Sequence, residues 1–254
     1  MIKHCPVCNS IDIDIVYKNK QMPYGIKLIN KFIDIEVAIC KTCSFVFQCS
    51  SYCEEYDKNI ELLYKNYKIS DMYNFPNRSI HHLKALNFIS STIQNNIDYN
   101  ILEIGSNRGD FLYLLKEKFS NINILGCEPT DFKDLFIPTI NSFFDKNLFS
   151  TKFDLVIIRH TLEHIKYPKV FIKELKYILK EGAFVFVEVP NLIYSLNNFI
   201  EDYTPDHVNY FYKDSLDDCF DEYKAIKYDN KEFLYSLFQI GDKNKKIKGN
   251  QNKQ

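Results

Sequence analysis

Three groups of residues in this chain have the types and spacing to do chemistry. Cys5 and Cys8 form one C-x-x-C, and Cys40 and Cys43 form another. Two such knuckles on short turns present four thiolates tetrahedrally, which structural Zn²⁺ prefers, and residues 9–39 leave room for intervening strands. The polar flanks "PVCNS" and "CKTCS" disfavour simple burial of the thiols, and a segment with little core gains folding free energy from a metal. The second group is "ILEIGSNRGDFLYLL", Ile101 to Leu115, where Glu103 precedes a loop bounded by Gly105 and Gly109. The third comprises the histidines and acids of "RHTLEH", Arg159 to His164, together with Asp206 and His207.

The second group reads as a buried strand, a tight loop and a helix start. Such a unit brings backbone N–H groups and a helix N-terminus to a ligand, and its glycines permit tight turning and close approach. A dinucleotide would need G-x-G-x-x-G, whereas this loop is G-S-N-R-G. Glu103 at the strand end would repel a pyrophosphate but suits a ligand bearing an ammonium. S-adenosylmethionine carries an ammonium and a carboxylate and has no phosphate. Glu128, ending the next strand in "NILGCEPT", is placed to accept hydrogen bonds from both ribose hydroxyls.

For the third group the chemistry is proton removal. Histidine titrates near neutrality and suits a base acting on a hydroxyl or an acidic C–H. His207, in a polar loop after the last parallel strand and beside Asp206, is the first candidate; His160, at a strand's carboxyl edge, is the second. The H-x-x-E-H spacing of His160, Glu163 and His164 also resembles a metal-ligand arrangement, but the surrounding pattern favours a non-metal role. His81 and His82 receive no chemistry. Cys49 and Cys53 are expected on or beside a helix, and Cys127 and Cys219 are read as packing residues.

Positioning these residues requires alternating elements. Apolar runs predict strands at 101–104, 122–127, 154–158 and 183–189, with helices at 110–119 and 168–179 and a weaker connection near 131–135. Such alternation implies a parallel sheet with right-handed crossovers, an α/β fold. Earlier, "DIDIVY" and "FIDIEVAIC" look like strands, and 51–67 is helical with Tyr56, Ile60, Leu63 and Tyr67 on one face. Residues 79–93 predict a helix capped by Ser79, with Ile80, Leu83, Leu86 and Ile89 on one side. After "VPN" come a helix, a polar loop, a helix at 213–221 and a closing hairpin from "YKAIKYD" and "EFLYSLFQI". Residues 1–60 form the zinc-binding module, 61–241 the main domain with a helical lid at 61–95, and the Lys-rich 242–254 a disordered tail.

Taken in order, "LEIGSNRGDFL", "GCEPT", "FDLVIIRHTLEHI" and "GAFVFVEVPN" resemble the successive motifs of class I S-adenosylmethionine-dependent methyltransferases. The resemblance implies a Rossmann-like seven-stranded sheet with an antiparallel final strand. It implies cofactor roles for Glu103, Gly105, Asn107, Gly109, Glu128 and Pro129, with Phe143 in "NSFFD" flanking the adenine and Arg159 and His160 beside the methionine part. The N-terminal knuckles and the tyrosine-bearing "LLYKNYKISDMYN" narrow the likeness to the sugar C-methyltransferases that act on nucleotide-linked sugars. In them Tyr64 and Tyr67 would help close over the cofactor. Those enzymes continue through a large C-terminal domain that this sequence lacks, and their Tyr-His-Glu-His loop is matched here only at Asp206 and His207.

The expected reaction is therefore in-line methyl transfer to oxygen or carbon of a small polar acceptor. A nucleotide-linked sugar or another precursor of a surface polysaccharide is the leading class. An RNA methyltransferase with a zinc clamp, or a binding module without activity, are the alternatives. A net charge of −1 predicts no general attraction to nucleic acid. No run reaches the roughly 18 apolar residues of a membrane span, and the N-terminus lacks a secretory signal, so a cytoplasmic setting is expected. Oligomerisation is left open.

Overall fold

The computed structural model describes residues 2–24, 30–66, 77–93, 98–200 and 203–241. Tyr67 and the tail at 242–254 lie outside the described residues. Two sheets organise the chain. The larger is seven-stranded, built from β4 (Tyr99–Ile104), β5 (Ile122–Cys127), β6 (Thr139–Ile140), β7 (Phe153–Arg159), β8 (Leu179–Pro190), β10 (Tyr223–Asn230) and β11 (Phe233–Ile240). Its order is β10-β11-β8-β7-β4-β5-β6. Strands β4 through β8 run parallel, and β11 enters antiparallel between β8 and β10. This is the α/β sheet expected of the methyltransferase fold, with its final strand reversed.

Strict alternation gives each face of the sheet its own core. Leu155 and Ile157 of β7 point to the face covered by α2 (Asn77–Ser90) and α3 (Asp110–Lys118), among Ala85, Ile89, Phe111 and Leu112. Val156 and Ile158 point to the opposite face, where α4 (Pro168–Leu175) and α6 (Lys213–Cys219) contribute Ile172, Leu175, Leu216 and Cys219. Burial on both faces explains why β7 and β8 read as continuous apolar runs.

A smaller sheet, order β1-β2-β3-β9, is built from β1 (Ile13–Pro23), β2 (Phe32–Cys40), β3 (Val46–Gln48) and β9 (Asn209–Tyr210). Its fourth strand comes from far along the chain, and Phe45, Phe47 and Phe211 join the same core as Val156 and Val187. The N-terminal segment and the main sheet are thus bound by both a strand pairing and shared apolar packing. α1 (Glu54–Asn66) follows, and the short α5 (Leu192–Asn197) is capped by Asn191, whose side chain accepts from the Ile193 N–H.

Several sequence expectations shift. The helix expected to begin after Ser79 starts at Asn77, so Ser79 lies inside it. Ile80 and Leu83 are half exposed, while Leu86 and Ile89 are buried as expected together with Ala85 and Phe88. The helix expected to reach 179 stops at Leu175, and Leu179 already pairs with Phe153. Residues 131–138 form turns rather than a helix. The short strands β3, β6 and β9 carry too few residues to show a period of their own.

Gly109 ends the loop before α3 at φ +88°, and a Cβ there would lie 2.0 Å from Ile137 Cγ1. Gly109→Ala is expected to cost about 2–4 kcal/mol through left-handed strain and overpacking. Gly241→Ala, where an added Cβ meets nothing within 4 Å, should stay within about 0.5 kcal/mol of the parent. Urea unfolding of both variants checks the difference.

Candidate active site

A cleft of about 1030 Å³ opens at the carboxyl ends of β4, β5 and β7, where ligands bind in sheets of this kind. Its floor is the segment after β4, with Gly105 and Asn107, and the segment after β5, with Glu128, Pro129 and Thr130. One wall follows β7, carrying His160, Thr161 and His164, and α1 roofs it with Tyr56, Ile60, Leu63 and Tyr64. Tyr64 meets Phe143 edge to face at 5.7 Å between ring centroids, joining two residues that the sequence placed around the cofactor.

The loop after β4 is held from both sides. Gly105 N–H donates to the Cys127 carbonyl at 2.8 Å, and Gly109 N–H donates to the Ser106 carbonyl at 2.9 Å. Gly105 has φ +75°, and a Cβ there would stand 2.0 Å from Thr161 Oγ1. Glu128 is buried, with Oε2 accepting from the Asn107 N–H at 3.0 Å and Oε1 from the Thr130 N–H at 2.9 Å. Burial pushes its carboxyl above the usual range, and those N–H groups oppose the shift. Each oxygen retains a second lone pair for a hydroxyl. Asn141, from the segment "NSFFD", donates to the Glu128 and Pro129 carbonyls and fixes the turn beneath.

An adjoining hollow of about 560 Å³ shares Gly105, Asn107 and His160 with the cleft and adds Glu103, Arg159, Asp110 and the two histidines of α2. His81 and His82, given no chemistry from sequence, therefore face the same space as Glu103 and Arg159. Arg159 and Glu188 pair at 2.5 Å in a fully enclosed position, Glu103 lies 3.9 Å from the guanidinium, and that group sits 4.1 Å over the Phe111 ring. Burial alone would raise Glu188, but Arg159 and His160 hold it well below the usual carboxylate range.

His160 adopts φ +47°, uncommon for a branched ring residue, at the strand's end. Its Nδ1 is 3.5 Å from Glu163 and its Nε2 3.3 Å from Glu188. Burial acts to lower its pKa, yet these two carboxylates push it up to about 9, even with two-fifths of the side chain open to the cleft. His207 and Asp206 are close to His164 rather than to His160. The His164 and His207 rings are 4.9 Å apart, and His164 Nδ1 donates to the Asp206 carbonyl at 2.7 Å. His207 lines a separate small hollow with Tyr203 and Tyr210, whereas Asp206 and His164 line the main cleft.

Of the residues expected at the cofactor, Tyr64, Gly105, Asn107, Glu128, Pro129 and Phe143 share the cleft, and Glu103 and Arg159 occupy the adjoining hollow. Gly109 lines neither and acts through the loop's shape. Sequence reasoning missed Thr161, whose hydroxyl lies 3.2 Å from the Ile104 carbonyl and 3.0 Å from that of Arg159. It passed over His164 as a cleft residue, although the H-x-x-E-H spacing had marked it. Cys127 packs as expected and also borders the cleft.

A family model described as a methyltransferase domain matches residues 70–224, more than half of the chain. The chain belongs to the methyltransferase domain family. It is an S-adenosylmethionine-dependent methyltransferase with a Rossmann-like fold. Two solved structures share that fold. A S-adenosylmethionine-dependent methyltransferase from Clostridium acetobutylicum is 14% identical, with TM-score 0.52, covering 74% of this chain and 100% of that one. The PH0226 protein from Pyrococcus horikoshii is 12% identical, with TM-score 0.51, covering 69% of this chain and 100% of its own. No curated protein sequence matches this methyltransferase.

The cleft fits the methyl donor on its own chemistry. Among its described lining residues none is Lys or Arg, so nothing there would neutralise a pyrophosphate. Glu128 offers spare lone pairs to vicinal hydroxyls, and Glu103 offers a carboxylate to an ammonium.

In the N-terminal sheet the four cysteines of the knuckles converge, with ligand atoms all within 4.8 Å of one another. Cys5 and Cys43 sulfurs are 3.6 Å apart, and Cys8 and Cys40 sulfurs 3.5 Å. Four sulfurs about 2.3 Å from one ion would lie about 3.8 Å apart, close to these values. The knuckles are built alike. Asn9 N–H returns to the Cys5 carbonyl and Ser44 N–H to the Cys40 carbonyl, with both Asn9 and Ser44 at positive φ. Among the described residues a second cluster of ligand types is Glu163, His164 and His207.

Glu188→Gln should destabilise the methyltransferase by about 3 kcal/mol at neutral pH, since it removes the nearer carboxylate of buried Arg159 and leaves the more distant Glu103, at 3.9 Å, to face the guanidinium. The depressed folded-state pKa means this stabilisation is present above the unfolded carboxyl pKa of about 4.3 and fades as pH falls below it. Unfolding of parent and variant across pH 3–8 (a span of about five units) should show their difference closing on the acid side.

Proposed function

We propose that this methyltransferase modifies oxygen or carbon of a small polar acceptor, a nucleotide-linked sugar or another activated precursor of a surface polysaccharide. The observation that carries the cofactor side is the placing of Glu103 and Glu128 on either side of a glycine loop, with no Lys or Arg among the described residues lining the main cleft and with Arg159 of the adjoining hollow already paired to Glu188. Support for the acceptor class is the order of the cysteine knuckles and the tyrosine-bearing helix, which resembles that of the sugar C-methyltransferases, although of their Tyr-His-Glu-His loop only Asp206 and His207 are matched.

Bound S-adenosylmethionine would supply an electrophilic methyl on a positively charged sulfur. Gly105 and Asn107 would shape the floor beneath it, Glu128 would fix the ribose, and Glu103 would hold the ammonium. Tyr64 and Phe143 would border the adenine side together, with α1 as the cover that excludes water. The acceptor would lie toward His160, His164 and Asp206, with His207 behind them, and its proton would leave into this corner. Alignment and dehydration are the protein's main contributions to such a displacement.

The four cysteines are assigned to structural Zn²⁺, supported by their sulfur spacing and by the matched turns of the two knuckles. The ion would tie residues 5–8 to β2 and the turn before β3.

Calorimetry with S-adenosylhomocysteine should show binding to the parent. Glu128→Ala should weaken it by about 2–3 kcal/mol, on the order of 100-fold, because two ribose hydrogen bonds are lost. Absence of binding in the parent would overturn the cofactor site. Elemental analysis should find one zinc per chain, and Cys40→Ser should remove it and lower the thermal midpoint by several degrees.

A further inference from the structure

We propose that His164 is the catalytic base that takes the acceptor's proton, held in the required tautomer by the Asp206 carbonyl. This inference rests on the cleft being the methyl-acceptor site. Three histidines crowd this corner, and geometry separates them. His160 has a carboxylate against each ring nitrogen, Glu163 at 3.5 Å and Glu188 at 3.3 Å. Those contacts keep it protonated at neutral pH, with no lone pair to offer. His207 lines the small hollow behind the loop instead of the cleft.

His164 meets the requirements that the others fail. It lines the cleft, and about one fifth of its side chain is exposed. Its Nδ1 lies 2.7 Å from the Asp206 carbonyl oxygen. A carbonyl only accepts, so Nδ1 carries the hydrogen and Nε2 carries the lone pair. The ring's seat is rigid. Leu162–His164 is a tight turn whose Glu163 carbonyl accepts from the Val208 N–H at 2.8 Å. Asn209 Nδ2 clamps the same turn through the Ile165 carbonyl at 2.6 Å and the Leu162 carbonyl at 3.3 Å.

The surroundings also handle the charge that develops. As the acceptor O–H (or acidic C–H) bond breaks, its proton passes to Nε2 and its electron pair forms the new bond to the methyl carbon. The carbon–sulfur bond breaks, and its electrons neutralise the sulfonium. The resulting imidazolium at His164 faces the Asp206 carboxylate, 3.8 Å from Nδ1, and the buried Glu163. Further titratable groups at this corner are His207, whose ring packs against His164, Tyr56 on α1 beside Asp206, Tyr64 in the cleft wall and Lys166, whose ammonium lies 5.0 Å over the Tyr56 ring.

The ligand-capable atoms of Glu163, His164 and His207 also lie within 4.8 Å of one another, a spacing that a cation could use. His160 already supplies the positive charge opposite Glu163, which favours a proton acceptor here over a metal.

Two measurements on the full chain decide the matter. Nitrogen-15 NMR of histidine side chains, with S-adenosylhomocysteine bound, should show the neutral ring of His164 as the Nδ1–H tautomer and His160 doubly protonated at neutral pH. A neutral His164 that carries its hydrogen on Nε2, or a His160 with an unprotonated ring nitrogen, overturns the proposal. In the second, a small-molecule extract is incubated with deuteromethyl-labelled S-adenosylmethionine and searched for labelled products. His164→Gln should cut label transfer on the order of 100-fold or more while S-adenosylhomocysteine affinity stays within about threefold. Transfer retained within about threefold, or abolished by chelator and restored by Mn²⁺ in the parent, overturns it. A parent that transfers no label sinks the acceptor reading instead, and the NMR result still decides the role of His164.

Discussion

The buried pair of Arg159 and Glu188 is the constraint around which the site is arranged. These residues sit opposite one another in the register of β7 and β8, at the carboxyl ends of adjacent parallel strands. A charge enclosed there is tolerable only with a partner in good geometry, and the 2.5 Å contact provides one. Glu188 then has a second oxygen left over, and His160 approaches it at 3.3 Å. That contact, with Glu163 on the other side of the ring, accompanies the left-handed backbone of His160. The turn that follows, Thr161 to His164, is launched from this strained residue. Thr161 packs on Gly105, so the loop after β4 and the turn after β7 are positioned against each other.

The N-terminal sheet reaches the same corner from the other side. Gln48, fully buried at the end of β3, accepts nothing casually: its N–H donates to the Val208 carbonyl at 2.9 Å and its side-chain Nε2 to the Pro205 carbonyl at 3.3 Å. Tyr210 O–H reaches Gln48 Oε1 at 3.4 Å. The loop carrying Asp206 and His207 is therefore held between β3 and the turn at 162–165. A segment that looked from sequence like an appended module is joined to the loop behind the cleft by strand pairing, amide contacts and a shared core.

Much of this was legible in the residues. The apolar runs of β4, β7 and β8 declared themselves because burial on both faces leaves few polar interruptions, and β5, part-exposed along its middle, was short but still apolar enough to read. The closing hairpin was equally plain, since β10 and β11 each carry eight residues. Glu103, Glu128 and the two glycines could be placed because strand ends and loop bends have local signals. What stayed hidden depends on long-range partners. β9 is two residues long and exists as a strand only because β3 offers an edge. Of the α2 face read from the sequence, Leu86 and Ile89 are buried while Ile80 and Leu83 are half exposed, a difference along the helix that no local pattern records. The separate surroundings of His160 and His164 were only half visible: Glu163 is three residues from His160, but Glu188 and Asp206, which set the two rings apart, are distant in the chain.

The electrostatic layout explains how one pocket can separate donor from acceptor. Glu128 follows β5 with its charge raised in energy by burial and offset by hydrogen bonds from Thr130 and Asn107, a state suited to accepting hydroxyls. Glu103 is buried near Arg159, so a ligand ammonium would join an existing charge cluster rather than create one. Across the cleft Asp206 and Glu163 are both held below the usual carboxylate range, against burial, by the histidines around them. The donor half thus offers fixed acceptors, and the other half offers groups whose proton affinity is set by their neighbours. On the proposed reading, a methyl group passing from one half to the other would leave a neutral sulfur behind as a proton is released on the far side. The close packing of Thr161 on Gly105 sets the loop after β4 against the turn after β7, so the two groups of carboxylates stand at a fixed distance from one another.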